Sequence, residues 1–317
     1  MKKNIAVIGC GYWGKNLVRN FYELGCLVAI CDPDIDLAKA ISETYKVKNL
    51  SFNNILKDQS IEGVVLAVPA SLHAKMSIKA LNAKKHVFVE KPISLNQSEA
   101  KKMIECSKNN NMHLMVGHLL QYHPIFIMVK KLVVDNQLGK LKYVYSNRLS
   151  LGKVRSEEDV IWSFAPHDIS MILSLVQEPV KSVKSKINSI IREDIADNAI
   201  IHLEFESGLK AHVSVSWINP FKEQKLVIIG DKAMAVFDDT KPWDEKLGIY
   251  DHKISKDGYQ TYTDKADIKY VNVKYAEPLK EECLYFLNLI AGNVPPLTDG
   301  LEGAKVLSVL NQSSYKN

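Results

Sequence analysis

The spacing of apolar residues over the first ~118 positions switches between two periods. Asn4 to Gly9 (NIAVIG) is a continuous, mostly β-branched run, as in a strand buried on both faces. Trp13, Leu17, Phe21 and Leu24 then fall on one helical stripe between Trp13 and Leu24. Leu27 to Cys31 reads as a second strand and Asp34 to Tyr45 as a second helix. Gly63 to Val68 and His86 to Val89 are further strands, and the helix between them opens near Ser71. Asn96 followed by Glu99 has the form of a capping box, and His113 to Val116 closes the series. Strands alternating with helices in this way predict a doubly wound parallel sheet.

After Pro124 the period changes. One helix is expected from Ile125 to Asn136. Period-two segments follow: Lys142 to Leu149, Val180 to Ile191, Ala199 to Phe205, Lys210 to Trp217, Lys225 to Ile229, Met234 to Phe237 and Tyr270 to Val273. Short polar or glycine turns such as ESGLK and IGDKA join many of them, which favours antiparallel pairing. A helix is inserted from His167 to Val176, and Pro278 to Ile290 and Leu301 to Tyr315 form terminal helices.

The chain has 317 residues, 46% of them hydrophobic and 24% charged, enough apolar material for two folded domains. The net charge of +5 is scattered rather than clustered, which suits an anionic small ligand and gives no nucleic-acid footprint. The five cysteines form no C-x-x-C pair and read as reduced cytoplasmic thiols. No apolar run is long enough to span a membrane. The opening apolar run is broken by glycines where a signal sequence would continue.

Gly9-Cys10-Gly11-Tyr12-Trp13-Gly14 fits G-x-G-x-x-G between a strand and a helix, and Asp32 ends the next strand. Gly9 permits the turn, Gly11 lets a pyrophosphate approach the backbone, and Gly14 lets helix and strand pack. The helix N-terminus offers N–H groups to phosphates. A carboxylate at Asp32 would accept ribose hydroxyls and repel a 2′-phosphate, which favours NAD as cofactor. The fold class is therefore α/β. A Rossmann domain is expected over 1–118, followed over 119–317 by a C-terminal α+β domain with an open, mostly antiparallel sheet. The terminal helices are free to pack back on the first domain.

The glycine motif, Val68-Pro69 with His73, Glu90-Lys91-Pro92, the segment from Gly117-His118 to Pro124, and Ala165-Pro166-His167-Asp168 together resemble the Gfo/Idh/MocA sugar dehydrogenases. The resemblance covers nearly the whole chain. The stretches GCGYWGKNLVRNF, EKPISLN, GHLLQYHP and APHDISMIL look closest to the members that oxidise carbon 3 of UDP-N-acetylglucosamine or its uronic acid. A 3-keto nucleotide sugar is the expected product. The open alternatives are a dehydrogenase of inositol or another free polyol, and a non-catalytic NAD-binding regulator.

The resemblance implies that Lys91 and His167 are catalytic. Lys91 would face the substrate hydroxyl beside the nicotinamide, where a neighbouring cation and burial both favour loss of its proton. His167 would act as acid–base or hydrogen-bond partner of that hydroxyl. Cofactor contacts are expected from Gly9, Gly11, Tyr12, Trp13, Gly14, Asp32, Pro69, His73, Glu90 and Lys91. Substrate contacts are expected from Lys91, His118, Gln121, Tyr122, Ser163 and His167, with His123 a further candidate. Hinge packing explains His118, Gln121, Tyr122 and His123 at least as well. Lys153, Arg155, Arg148, Lys222 and Lys225 are candidates to meet a diphosphate. No metal-ligand spacing is present, and no metal is expected.

One position departs from the family pattern. An aspartate commonly stands four residues before the histidine; here it is Ser163. Either Lys91 and His167 suffice, or Asp168 or Asp159 supplies the carboxylate, or the protein is a slow or inactive variant. The second domain carries more apolar strand surface than its helices can cover, so a homodimer or homotetramer is expected.

Overall fold

The computed structural model describes residues 3–152, 154–155, 158–257 and 259–314. The chain divides into two compact units, one built from residues 3–122 with 277–308, the other from 123–276 with 309–314. Helices expected near the C-terminus thus contribute to both.

In the first unit, β1 (Ile5–Ile8), β2 (Leu27–Cys31), β3 (Lys48–Asn49), β4 (Gly63–Leu66), β5 (His86–Glu90) and β6 (Leu114–Gly117) form one parallel sheet. Their order is β3-β2-β1-β4-β5-β6, the doubly wound arrangement of dinucleotide-binding domains. Helices α1 (Gly14–Glu23), α2 (Ile35–Tyr45), α3 (Phe52–Lys57), α4 (Ala70–Asn82) and α5 (Gln97–Asn110) connect the strands. Every residue of β1, β4 and β6 is buried, which explains their unbroken apolar runs. Asn96 caps α5 by accepting from the Glu99 N–H at 2.9 Å, as its sequence predicts. The two-residue β3 and six-residue α3 escape the sequence reading because neither is long enough to show a period.

A 3₁₀ turn over Leu119–Tyr122 leads into the second unit, which opens with α6 (Pro124–Val134) and β7 (Leu141–Leu151). Next comes α7 (Val160–Val176), seven residues longer at its start than the sequence suggested. Pro166 reads as a helix boundary, yet it lies inside the helix; Asp159 caps the true start, accepting from the Trp162 N–H at 3.0 Å. The remaining strands are β8 (Val180–Asn188), β9 (Asn198–Phe205), β10 (Lys210–Ser216), β11 (Ile218–Gly230), β12 (Met234–Asp238), β13 (Leu247–Tyr250), the hairpin of β14 (Lys253–Asp257) and β15 (Gln260–Asp264), and β16 (Ile268–Tyr270).

Eight of these strands form an open sheet in the order β16-β13-β12-β11-β7-β10-β9-β8. All its neighbours are antiparallel except β7 with β10. Ala199, Ile201, Leu203 and Phe205 of β9 and Ala211, Val213 and Val215 of β10 are buried on the side that α7 covers. Ile200, His202, His212, Tyr143 and Tyr145 occupy the other side, where Tyr145 stacks on His212 with ring centroids 5.1 Å apart.

The last helices are α8 (Pro278–Ile290) and α9 (Gly300–Ser313). Helix α8 closes the core of the first unit: Phe286 meets Phe88 of β5 edge-on at 5.6 Å and Phe21 of α1 at 6.4 Å. Each such aromatic pair adds about 0.5–1.5 kcal/mol beyond its buried area.

Candidate functional site

The glycine turn takes the form its sequence implies. Gly9 has φ +85°, which an L side chain rarely adopts, and a Cβ there would overlap the Ala67 carbonyl. A Cβ on Gly14 would collide with the Gly9 carbonyl, so helix and turn pack only because both are glycine. Gly11 is different: nothing lies within 4 Å of where its Cβ would be. That open backbone, leading into the N-terminus of α1, leaves room for a phosphate to approach.

Asp32 is anchored at the rim of this turn. Its Oδ2 accepts from the Cys10 N–H at 2.6 Å and its Oδ1 from the Asp34 N–H at 2.9 Å. Each oxygen keeps a further lone pair for a ribose hydroxyl. Burial, with the charge of Asp32 and neighbouring Cys31, pushes the Cys10 thiol up to about 12, which makes it an inert wall of the turn. Tyr12 is exposed, with the Lys15 ammonium 5.5 Å from its ring centroid. A cavity of about 390 Å³ lies beside the turn, lined by residues including Cys10, Tyr12, Lys15, Leu37 and Tyr45. These features fit an adenosine diphosphate moiety.

Glu90 ends β5, and its Oε1 accepts from Trp13 Nε1 at 2.6 Å. This bond ties the glycine turn to the loop that carries Lys91. Removal from water raises the Glu90 carboxyl, opposed by Trp13, Lys91 and His118. The Lys91–Pro92 peptide is cis.

His73, expected among the cofactor contacts, has both ring nitrogens against backbone carbonyls of the protein. It is 1% exposed, with Nδ1 2.7 Å from the Pro92 carbonyl and Nε2 2.8 Å from the Val68 carbonyl. It braces the turn at Pro69 against the Lys91 loop. Burial lowers its pKa first, and the Lys91 charge adds to that.

The expected sugar contacts after β6 are taken up by protein partners. His118 Nδ1 lies 2.5 Å from Glu302 Oε2. Tyr122 Oη lies 2.7 Å from Thr298 Oγ1, which donates to the Val116 carbonyl at 2.7 Å. Burial pushes the Tyr122 phenol well above its usual range. Gln121 is 1% exposed. In the second unit His123 caps α6 through Nδ1 and stacks on Trp243 at 5.4 Å. For these residues packing and capping account for what the structure shows. Glu302 and Thr298 carried no local signal, since their partners are distant in sequence.

In the second unit Ser163 and His167 stand one turn apart on α7, so the sequence places both on one helical face. His167 is half-buried and Ser163 buried. His167 lies mid-helix rather than at a helix start, because α7 begins before Pro166. Both aspartates that might replace the missing carboxylate are committed elsewhere. Asp168 is fully buried and receives Arg148 Nε at 2.6 Å and Ser146 Oγ at 2.5 Å. Asp159 is the cap of α7, and burial raises its carboxyl.

Three of the cations considered for a diphosphate are paired. Arg148 is held by Asp168, Arg155 pairs with Glu158 at 2.5 Å, and Lys225 lies 3.5 Å from Asp238. Lys222 is exposed on β11, and Lys153 lies outside the described residues. Among the described residues no three His, Cys, Asp or Glu side chains are grouped to hold a metal ion, and no helix is long and apolar enough to cross a membrane.

Comparison with known proteins extends this geometry. Residues 3–118 match the profile of an oxidoreductase family with an NAD-binding Rossmann fold, and residues 126–236 match the C-terminal domain profile of the same GFO/IDH/MocA family. The chain is 25% identical to UDP-N-acetylglucosamine 3-dehydrogenase of Acidithiobacillus ferrooxidans, over 96% of this chain and 94% of that one. The crystal structure of that protein superposes with a TM-score of 0.86 at 23% identity, covering 98% and 96% of the two chains. Myo-inositol 2-dehydrogenase of Thermotoga maritima is 23% identical, over 96% and 92% of the two chains. GenD2 from gentamicin A biosynthesis, solved in complex with NAD, shares the fold with a TM-score of 0.82 at 16% identity, over 98% and 93%.

Proposed function

The chain belongs to the Gfo/Idh/MocA family of NAD-dependent oxidoreductases, and on that premise we propose that it oxidises a secondary alcohol of a nucleotide-activated amino sugar. The alcohol is the carbon-3 hydroxyl of UDP-N-acetylglucosamine or its uronic acid, and the product a 3-keto sugar. One observation carries the reading: Lys91 follows the carboxyl end of β5, on a loop held by Trp13 and Glu90 on one side and by His73 on the other. Ligands of open parallel sheets bind at that end. The match to the Acidithiobacillus enzyme along almost the whole chain supports the choice of sugar.

The residues fit a dinucleotide. The Gly9–Gly14 turn and the first turn of α1 would hold its pyrophosphate, and Asp32 its ribose hydroxyls. When bound, NAD supplies the acceptor for the hydride that leaves the sugar carbon. Lys91 takes the hydroxyl proton as that carbon–hydrogen bond breaks. His167 is the proposed hydrogen-bond partner of the same hydroxyl. With Asp159 and Asp168 committed elsewhere, these two groups act without the aspartate usual at position 163.

Inositol dehydrogenases also match the chain, and a substrate panel separates the readings. NADH absorbance is followed with UDP-N-acetylglucosamine, its uronic acid and myo-inositol. Formation of NADH with a UDP-sugar supports the proposal. Formation with myo-inositol alone overturns the sugar assignment, and tight NAD binding without turnover on any of them supports a regulator. A homodimer or homotetramer built on the open sheet face completes the proposal; elution at monomer mass across concentrations counts against it.

A further inference from the structure

A dinucleotide brings a negatively charged diphosphate to the Gly9–Gly14 turn, and the rim of that turn already holds the Asp32 carboxylate, bonded to the Cys10 N–H at 2.6 Å. Like charges gathered at one turn repel, so the site needs a cation. Helix α1 carries two, Lys15 and Arg19, one turn apart on the same side. Arg19 is committed to the protein: its guanidinium pairs with Glu23 at 3.1 Å and with Glu277. Lys15 is not. Among the described residues no carboxylate lies within ion-pair distance of its ammonium, and the first turn of α1 has no acidic residue.

The turn itself sets the place of Lys15. Its N–H donates to the Gly11 carbonyl at 3.1 Å, so the residue whose backbone is open also anchors the helical turn that carries the lysine. The ammonium rests over the Tyr12 ring, 5.5 Å from its centroid. Tyr12 follows Gly11 and is 87% exposed, so this cation–π contact lies in water and releases the ammonium at small cost. Gly11, Tyr12 and Lys15 line the same cavity of about 390 Å³. Val18, Leu37 and Ile41 also line it, and their side chains offer no polar atom to compete for the ammonium or for a phosphate.

We propose that Lys15 is the phosphate-binding cation of the cofactor site: its ammonium leaves the Tyr12 ring and donates to an oxygen of the diphosphate. The inference rests on the dinucleotide binding at the Gly9–Gly14 turn, as the proposed function requires. A lysine suits the task as a point charge on a flexible stem, which can follow the phosphate as it arrives. Lys15 takes no part in hydride or proton transfer. It holds the cofactor, and its loss is felt as affinity.

The test is one of binding and needs no sugar. NADH affinity of the full chain is titrated by fluorescence at low and at raised salt. Lys15→Met removes the charge and is expected to bind NADH about tenfold more weakly at low salt, with the gap narrowing as salt screens the wild-type pair. Lys15→Arg keeps the charge and should bind close to the wild type. Lys39, exposed on α2 and outside the cavity wall, is the control: Lys39→Met removes the same net charge and should change nothing. Displacement of NADH by ADP-ribose and by adenosine places the contact. ADP-ribose should lose affinity for Lys15→Met as NADH does, and adenosine, which has no phosphate, should not. Wild-type NADH affinity in Lys15→Met, a loss as large in Lys15→Arg or Lys39→Met, or an equal loss for adenosine overturns the assignment. A wild type that takes up no NADH overturns the cofactor site along with Lys15. Turnover does not enter, so failure of the sugar assignment on the substrate panel leaves these binding results unchanged.

Discussion

Trp13 Nε1 donates to Glu90 Oε1 at 2.6 Å, so the turn that would hold the cofactor phosphates is bonded to the loop that presents Lys91. The two residues come from different βα turns, 77 positions apart. A hydrogen bond to a carboxylate contributes about 1.5–3 kcal/mol when shielded, and less where, as at Trp13, the ring is partly exposed. Trp13→Phe keeps the ring and removes the donor. NADH fluorescence titration should show affinity falling by about tenfold, with the circular dichroism spectrum unchanged.

Gly9→Ala should be far more damaging than Gly11→Ala. At Gly9 the backbone has φ +85° and the added methyl meets the Ala67 carbonyl, whereas at Gly11 it meets no protein atom within 4 Å. A drop in stability of about 1–3 kcal/mol is expected for the first, read by urea unfolding. The second should fold normally and lose NADH affinity if, as proposed, the pyrophosphate lies against Gly11, where the methyl would stand.

The buried pair of Arg148 and Asp168 gives a prediction with a built-in control. Asp168 is fully buried, and the Arg148 side chain is 13% exposed. Arg148→Met strands a carboxylate and should cost about 3–5 kcal/mol. Adding Asp168→Leu should recover much of that loss in the same denaturant assay, since a buried pair replaced on both sides is often neutral.

His86 sets an acid limb to stability. Burial first, then the charges of His113 and Lys3, lower its pKa to about 4 in the fold. A lowered histidine favours the neutral ring, so its contribution is present above the unfolded value of ~6.5. That contribution is lost as pH falls from there through about 4. His86→Gln should flatten this part of a plot of unfolding free energy against pH.

Much of this molecule was legible in its residues. The strands of the first unit are buried on both faces and announce themselves as apolar runs, and the glycine turn and Asp32 carry their own chemistry. The second unit was harder to read. Its β13, β14 and β15 are short or polar, and Pro166 hid the start of α7. The site residues divide in the same way. Gly9, Gly14 and Asp32 act through local backbone, which a motif records. His73, His118 and Tyr122 are polar types that suit a ligand equally well, and only distant partners such as Pro92, Glu302 and Thr298 show them bonded within the protein.

The central claim is that the neutral amine of Lys91 takes the proton of the sugar hydroxyl. Turnover of UDP-N-acetylglucosamine by Lys91→Met, measured beside its NADH affinity, tests it most directly. The account predicts a loss in kcat of about 10²–10⁴-fold with NADH bound as tightly as in the wild type. A Lys91→Met protein that oxidises the sugar at the wild-type rate would contradict it.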